Sequence, residues 1–132
     1  MEKNAHLVLC VDDEEVGLQV RKILLERAGY RVLTGPEGYS GLELFMNQPV
    51  DVVILDYSMP GMHGGEVALK MRQTKPEVPI LLLSAYVGLP EEVSSLVDVY
   101  LYDIYMTKGE GAPALLNALG SLLAVPAASG AG

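Results

Sequence analysis

Three short runs, "LVLCV" (7–11), "DVVIL" (51–55) and "PILLLS" (79–84), are apolar almost throughout and do not alternate with polar residues. A strand with one wet face alternates; one that does not is buried on both faces. Burial on both faces is the mark of a parallel sheet covered by helices. Each run stops abruptly at polar residues: Asp12 and Asp13 after the first, Asp56 after the second, Ser84 at the end of the third. The chain has 132 residues, which suits one domain with a single core.

The segments between these runs have helical spacing. Over residues 14–28, Val16, Val20, Ile23, Leu24 and Ala28 form the expected apolar face, with Gly29 as a stop. Leu42, Phe45 and Met46 mark a helix over 39–47, and Val67, Ala68 and Met71 one over 64–74. "PEEVSSLV" (90–97) predicts a further helix, and "PALLNALGSLLAV" (113–125) another with Pro113 in its first turn. "YRVLT" (30–34) and part of "VYLYDIYMT" (99–107) complete five strands alternating with five helices. The expected architecture is a doubly wound α/β sandwich, whose functional crevice lies beyond the carboxyl ends of the strands. The domain is expected over 5–125, with "PAASGAG" (126–132) as a flexible tail or linker stub.

The net charge of −8 argues against a nucleic-acid-binding surface, which needs clustered Lys or Arg, and against adsorption to anionic membranes. Cys10 is the lone cysteine and lies inside an apolar run, so it is expected to be a reduced core residue. "MEKNAH" lacks a signal-peptide pattern and no run reaches membrane-spanning length. The expectation is a soluble, cytoplasmic protein.

In a parallel sheet the strand ends converge, so Asp12, Asp13 and Asp56 are expected within a few ångströms of one another. Carboxylates that close repel and raise one another's pKa. A hard divalent cation relieves this, and Mg²⁺ favours carboxylates, waters and a phosphate oxygen. From Pro76 onward the acids are Glu77, Glu91, Glu92, Asp98, Asp103 and Glu110, and the only cation is Lys108, at the expected end of strand five. An Asp beside Mg²⁺ and Lys is a credible nucleophile toward a phosphoryl group, and the Ser84 hydroxyl can donate to one of its oxygens.

"VDDE", "ILDYSMPGMHGGE", "LLLSA" and "YMTK", in this order and at these spacings, make the chain resemble a response-regulator receiver domain of the CheY-like family, over about residues 5–125. The resemblance implies a flavodoxin-like (βα)5 fold with strand order 2-1-3-4-5. It also implies phosphoryl transfer to Asp56 from a histidine kinase or phosphotransfer protein. By the same resemblance Asp13 binds Mg²⁺ directly, Asp12 acts largely through water, and Asp56 and the Ser58 backbone carbonyl complete the protein ligands. Ser84 and Lys108 contact the phosphoryl group. Tyr105 matches an aromatic switch, the alternative being a strand tyrosine that does not move. Met59, Pro60 and Gly64 match the loop that shapes the site.

Three departures stand out. Relatives usually follow the lysine with proline, whereas Gly109 stands here, and glycine by itself fixes no backbone shape. Tyr86, two residues after Ser84, is expected to shield an acyl phosphate and slow its hydrolysis. The face of the fourth helix, fifth strand and fifth helix lacks the charges for an ion-paired dimer, and suits an unidentified helical partner or an apolar dimer instead. Two other function classes compete with a phosphorylatable switch. One is a pseudo-receiver that binds partners without phosphorylation. The other is an aspartate-nucleophile phosphatase, which needs a second acid where Ser58 stands.

Overall fold

The computed structural model describes residues 6–57, 64–84 and 102–124. Five strands form one parallel sheet: β1 (Leu7–Val11), β2 (Arg31–Gly35), β3 (Val52–Asp56), β4 (Ile80–Ser84) and β5 (Ile104–Thr107), in the order β2-β1-β3-β4-β5. The helices are α1 (Glu15–Arg27), α2 (Gly38–Asn47), α3 (Gly64–Thr74) and α4 (Ala112–Ala124). The helix expected over 90–97 lies outside the described residues.

β1, β3 and β4 are buried along their whole length, as their unbroken apolar runs require. Their side chains alternate between two cores. Leu7, Leu9, Val11, Val53 and Leu55 pack with Leu42 and Phe45 of α2 and with Val67, Ala68 and Met71 of α3. Val8, Cys10, Val52, Ile54, Leu81 and Leu83 pack with Leu18 and Leu25 of α1 and with Leu115 and Leu119 of α4. Full burial pushes the Cys10 thiol up to about 12, so it stays protonated and inert.

Two helix faces differ from the expected ones. In α1, Val16, Val20 and Ile23 are 72%, 60% and 54% exposed, and Leu18 and Leu25 enter the core instead. The inward stripe runs Leu18, Arg21, Leu25, with a cation between two leucines, for a reason that lies at the strand ends. In α2, Met46 faces solvent at 57% exposure while Leu42 and Phe45 are buried. Gly29, at φ 102°, ends α1 as expected.

At the amino ends of the strands two aspartates take up backbone donors. Asp51 accepts from Leu7 N–H at 2.7 Å, and Asp103 accepts from Ile80 N–H at 2.7 Å while pairing with Arg72 of α3. At the opposite end, α2 is seated against the sheet through small residues: a Cβ added to Gly41 would lie 2.7 Å from Val11 Cγ2, and one added to Gly35 2.9 Å from Gly41 Cα. Val11 directly precedes Asp12, so this close approach fixes the strand end that carries the acids. Gly41→Ala is expected to lower stability by about 1–3 kcal/mol through overpacking, read as a lower urea midpoint; an unchanged midpoint would mean that α2 shifts without cost.

Candidate functional site

The strand register builds the site. Val11 of β1 pairs with Leu55 of β3, which brings Asp12 and Asp56 level at the next position. Asp56 pairs with Leu83 of β4, and Ser84 with Thr107 of β5, so Ser84 and Lys108 follow on the same edge. The chain leaves β1 for β2 on one side and continues to β3 on the other. Asp12 and Asp56 therefore flank the point where the strand order reverses, the position where open α/β sheets bind ligands.

Asp12, Asp13 and Asp56 each bring a carboxylate oxygen within 4.8 Å of the others. Asp12 and Asp56 are buried and Asp13 is exposed. Three convergent carboxylates form a hard-oxygen donor set that fits Mg²⁺. Lys108 Nζ stands 3.0 Å from Asp12 Oδ2, 3.7 Å from Asp56 Oδ1 and 3.9 Å from Glu14 Oε1. Arg21, from the inward stripe of α1, reaches Asp12 Oδ2 at 3.3 Å. The other Asp12 oxygen accepts Glu14 N–H at 2.9 Å, at the start of α1. Burial disfavours the Asp12 charge, but the Glu14 N–H, Lys108 and Arg21 outweigh it and hold the carboxyl below its ordinary value. A depressed value means that Asp12 stabilises the fold above its unfolded-state pKa, a contribution lost as pH falls through the folded-state value.

Ser84 is buried at the end of β4. Tyr105 pairs with Leu82 and packs, half-buried, against the cluster of Tyr57 and Leu82, two residues back from the Ser84–Thr107 pair. Ser58, Met59, Pro60 and Tyr86 lie outside the described residues. Glu14 and Glu15 both fall at the start of α1, but Glu14 is also drawn toward Lys108 rather than held by the helix end alone.

A family model described as the response regulator receiver domain matches residues 8–119. The chain belongs to this family. The receiver domain is 37% identical over 102 residues to the alkaline phosphatase synthesis transcriptional regulatory protein PhoP of Bacillus subtilis, covering 76% of this chain and 41% of PhoP. It is 34% identical over 113 residues to the sensor histidine kinase GacS of Pseudomonas protegens, covering 82% of this chain and 12% of GacS. The chain thus spans less than half the length of both relatives. Among solved structures, a CheY-like receiver domain protein from Methanospirillum hungatei superposes with a TM-score of 0.83 at 25% identity, covering 91% of this chain and 94% of that one. The response regulator TrrA of Thermotoga maritima, solved in complex with Mg²⁺-BeF, superposes with a TM-score of 0.81 at 33% identity, covering 89% and 99%.

Two residues with no expected role from sequence shape this receiver domain's acid edge. Arg21 is one. The other is Glu110, which answers how Lys108 is placed without a following proline. Lys108–Glu110 form a 3₁₀ turn, and the Glu110 carboxylate accepts Thr107 N–H at 2.9 Å in a capping box. "TKGE" carries that signature, Thr followed three residues later by Glu. Gly109 does not use a left-handed conformation, and a Cβ there would meet nothing within 4 Å. Gly109→Ala is therefore expected to leave stability unchanged. Glu110→Ala is expected to cost about 1 kcal/mol and to speed hydrogen exchange at the Thr107 amide, and Glu110→Gln to keep most of both. Equal exchange in Glu110→Ala and the parent would show that the turn is held by other contacts.

Proposed function

We propose that residues 5–125 act as a phosphorylatable switch of a two-component system, with Asp56 accepting a phosphoryl group from the phosphohistidine of a histidine kinase or phosphotransfer protein, and residues 126–132 forming a tail. The observation that carries this reading is the meeting of Asp12, Asp13 and Asp56 with Lys108 where the strand order reverses. An Asp56 oxygen attacks phosphorus, the P–N bond breaks, and the imidazole leaves with the electron pair. Lys108 neutralises charge on the phosphoryl oxygens, and the Ser84 hydroxyl donates to one of them. Mg²⁺, when bound, neutralises both the carboxylates and the phosphoryl oxygens. Asp13, Asp56 and the Ser58 carbonyl would hold it, with Asp12 acting through water.

Several features support this reading over its competitors. A pseudo-receiver has no use for the full set of acids and lysine that this chain carries. A phosphatase of the aspartate-nucleophile type needs a general acid where Ser58 stands. On this reading the domain is a switch whose chemistry is the gain and loss of its own phosphoryl group. The exposed apolar residues Val16, Val20 and Ile23 begin beside the acid edge and offer a protein donor a surface to rest on. Val16 and Val20 also border an open groove of about 340 Å³ between α1 and α4, lined as well by Leu24, Met106, Lys108 and Leu115. We assign the face of β5 and α4 to the output partner, with Tyr105 as its link to the site; the expected helix over 90–97 and the proposed shielding residue Tyr86 lie outside the described residues. A net charge of −8 favours protein partners over nucleic acid or membrane. Among the described residues no helix is long and apolar enough to cross a membrane. We assign the domain to the cytoplasm, where the kinases of such systems present their phosphohistidine.

The test is an amide-shift titration with Mg²⁺ followed by beryllofluoride. Saturable shifts are expected around Asp56, Ser84 and Lys108, and Asp56→Asn removes the beryllofluoride response. In the same titration Asp13→Ala weakens Mg²⁺ binding about tenfold or more, while Glu15→Ala leaves it unchanged. No response at millimolar Mg²⁺ overturns the reading in favour of a phosphorylation-independent module.

A further inference from the structure

Asp12 is 1% exposed, and two cations share one of its oxygens: Lys108 Nζ at 3.0 Å and Arg21 at 3.3 Å. The two differ in what else they do. Lys108 is divided among three acids, since Asp56 and Glu14 also lie within 4.0 Å of its ammonium. The Arg21 side chain is only 11% exposed and comes from the middle of α1, and its ion pair is to Asp12. Gly17, one turn earlier, leaves room for the Glu14 carboxylate, since a Cβ at position 17 would lie 2.9 Å from Glu14 Oε1.

A phosphoryl group on Asp56 adds charge that Lys108 must meet. To do so the ammonium has to give up part of its hold on Asp12. A buried carboxylate that loses its only cation is strongly destabilised. Asp12 does not face that loss, because Arg21 remains. We propose that Arg21 is a positioning residue: it keeps the Asp12 charge in place so that Lys108 is free to move from Asp12 to the oxygens of a phosphoryl group on Asp56. This rests on the phosphoacceptor reading of Asp56. The same charge has an opposite effect before phosphorylation. Arg21 adds positive potential beside the acid cluster and opposes divalent-cation binding.

The two effects have opposite signs, which separates them from a loss of folding. In Arg21→Met, which keeps the aliphatic stem, Mg²⁺ binding to the full chain is expected to tighten, and beryllofluoride binding at saturating Mg²⁺ to weaken, each by roughly fivefold. Arg21→Lys is expected to return both constants toward the parent. If Arg21→Met does not fold, Arg21→Gln is measured in its place with the same expectation. Loss of both affinities together, no change in either, or failure of Arg21→Lys to restore them overturns the proposal. A parent that responds to both ligands while the variants match it removes the role of Arg21 alone. A parent that responds to neither removes the phosphoacceptor reading, and the proposal falls with it.

Discussion

Repulsion among Asp12, Asp13 and Asp56 is the constraint around which this structure is arranged. Two of the three carboxylates are buried, and the register of β1 against β3 leaves them no room to separate. Among the described residues, Lys108 from the turn after β5, Arg21 from α1 and the Glu14 amide at the start of that helix supply positive charge or an N–H. The balance is partial by construction. Asp13 stays exposed, and Lys108 is spread over more acids than one ammonium can satisfy. An edge in this state gains from a hard divalent cation, and a lysine shared in this way is free to follow new negative charge. The same arrangement explains how two buried carboxylates are tolerated at this edge, and it is the basis of the proposed phosphoryl chemistry.

The rest of the fold keeps that edge rigid. Unbroken apolar strands lock into cores on both faces, so the sheet cannot slip by a residue without turning every side chain to the wrong core. The contact of Gly41 with Val11 pins the end of β1, and the Thr107–Glu110 capping box pins the turn that carries Lys108. Asp51 and Asp103 close the far end of the sheet by accepting backbone donors. Acids at that end are structural; acids at the carboxyl end are held with their charges only partly met.

Much of this was legible in the residues. "LVLCV", "DVVIL" and "PILLLS" announced a sheet buried on both faces, and the acids that follow the first two announced the edge where Asp12, Asp13 and Asp56 converge. The inward face of α1 was not legible, because that helix carries two apolar stripes. Val16, Val20 and Ile23 repeat as regularly as Leu18 and Leu25, and periodicity alone cannot say which one meets the sheet. The answer depends on Arg21, which shares the inner stripe because Asp12 lies at its end. A charged residue inside a helix reads as solvent-facing until the fold supplies its acid, nine positions away. Glu110 is a different case. The capping signature was present in "TKGE", but its consequence shows only once the lysine it holds is known to face the acids.

The most direct test of the central claim is to find where the chain takes up a phosphoryl group. The full chain is incubated with Mg²⁺ and acetyl phosphate, the acyl phosphate is reduced with borohydride, and the acceptor is identified by peptide mass spectrometry as the aspartate converted to homoserine. Homoserine is expected at position 56 alone, and none when Mg²⁺ is withheld. Conversion at Asp12 or Asp13, or no conversion with Mg²⁺ present, would contradict it.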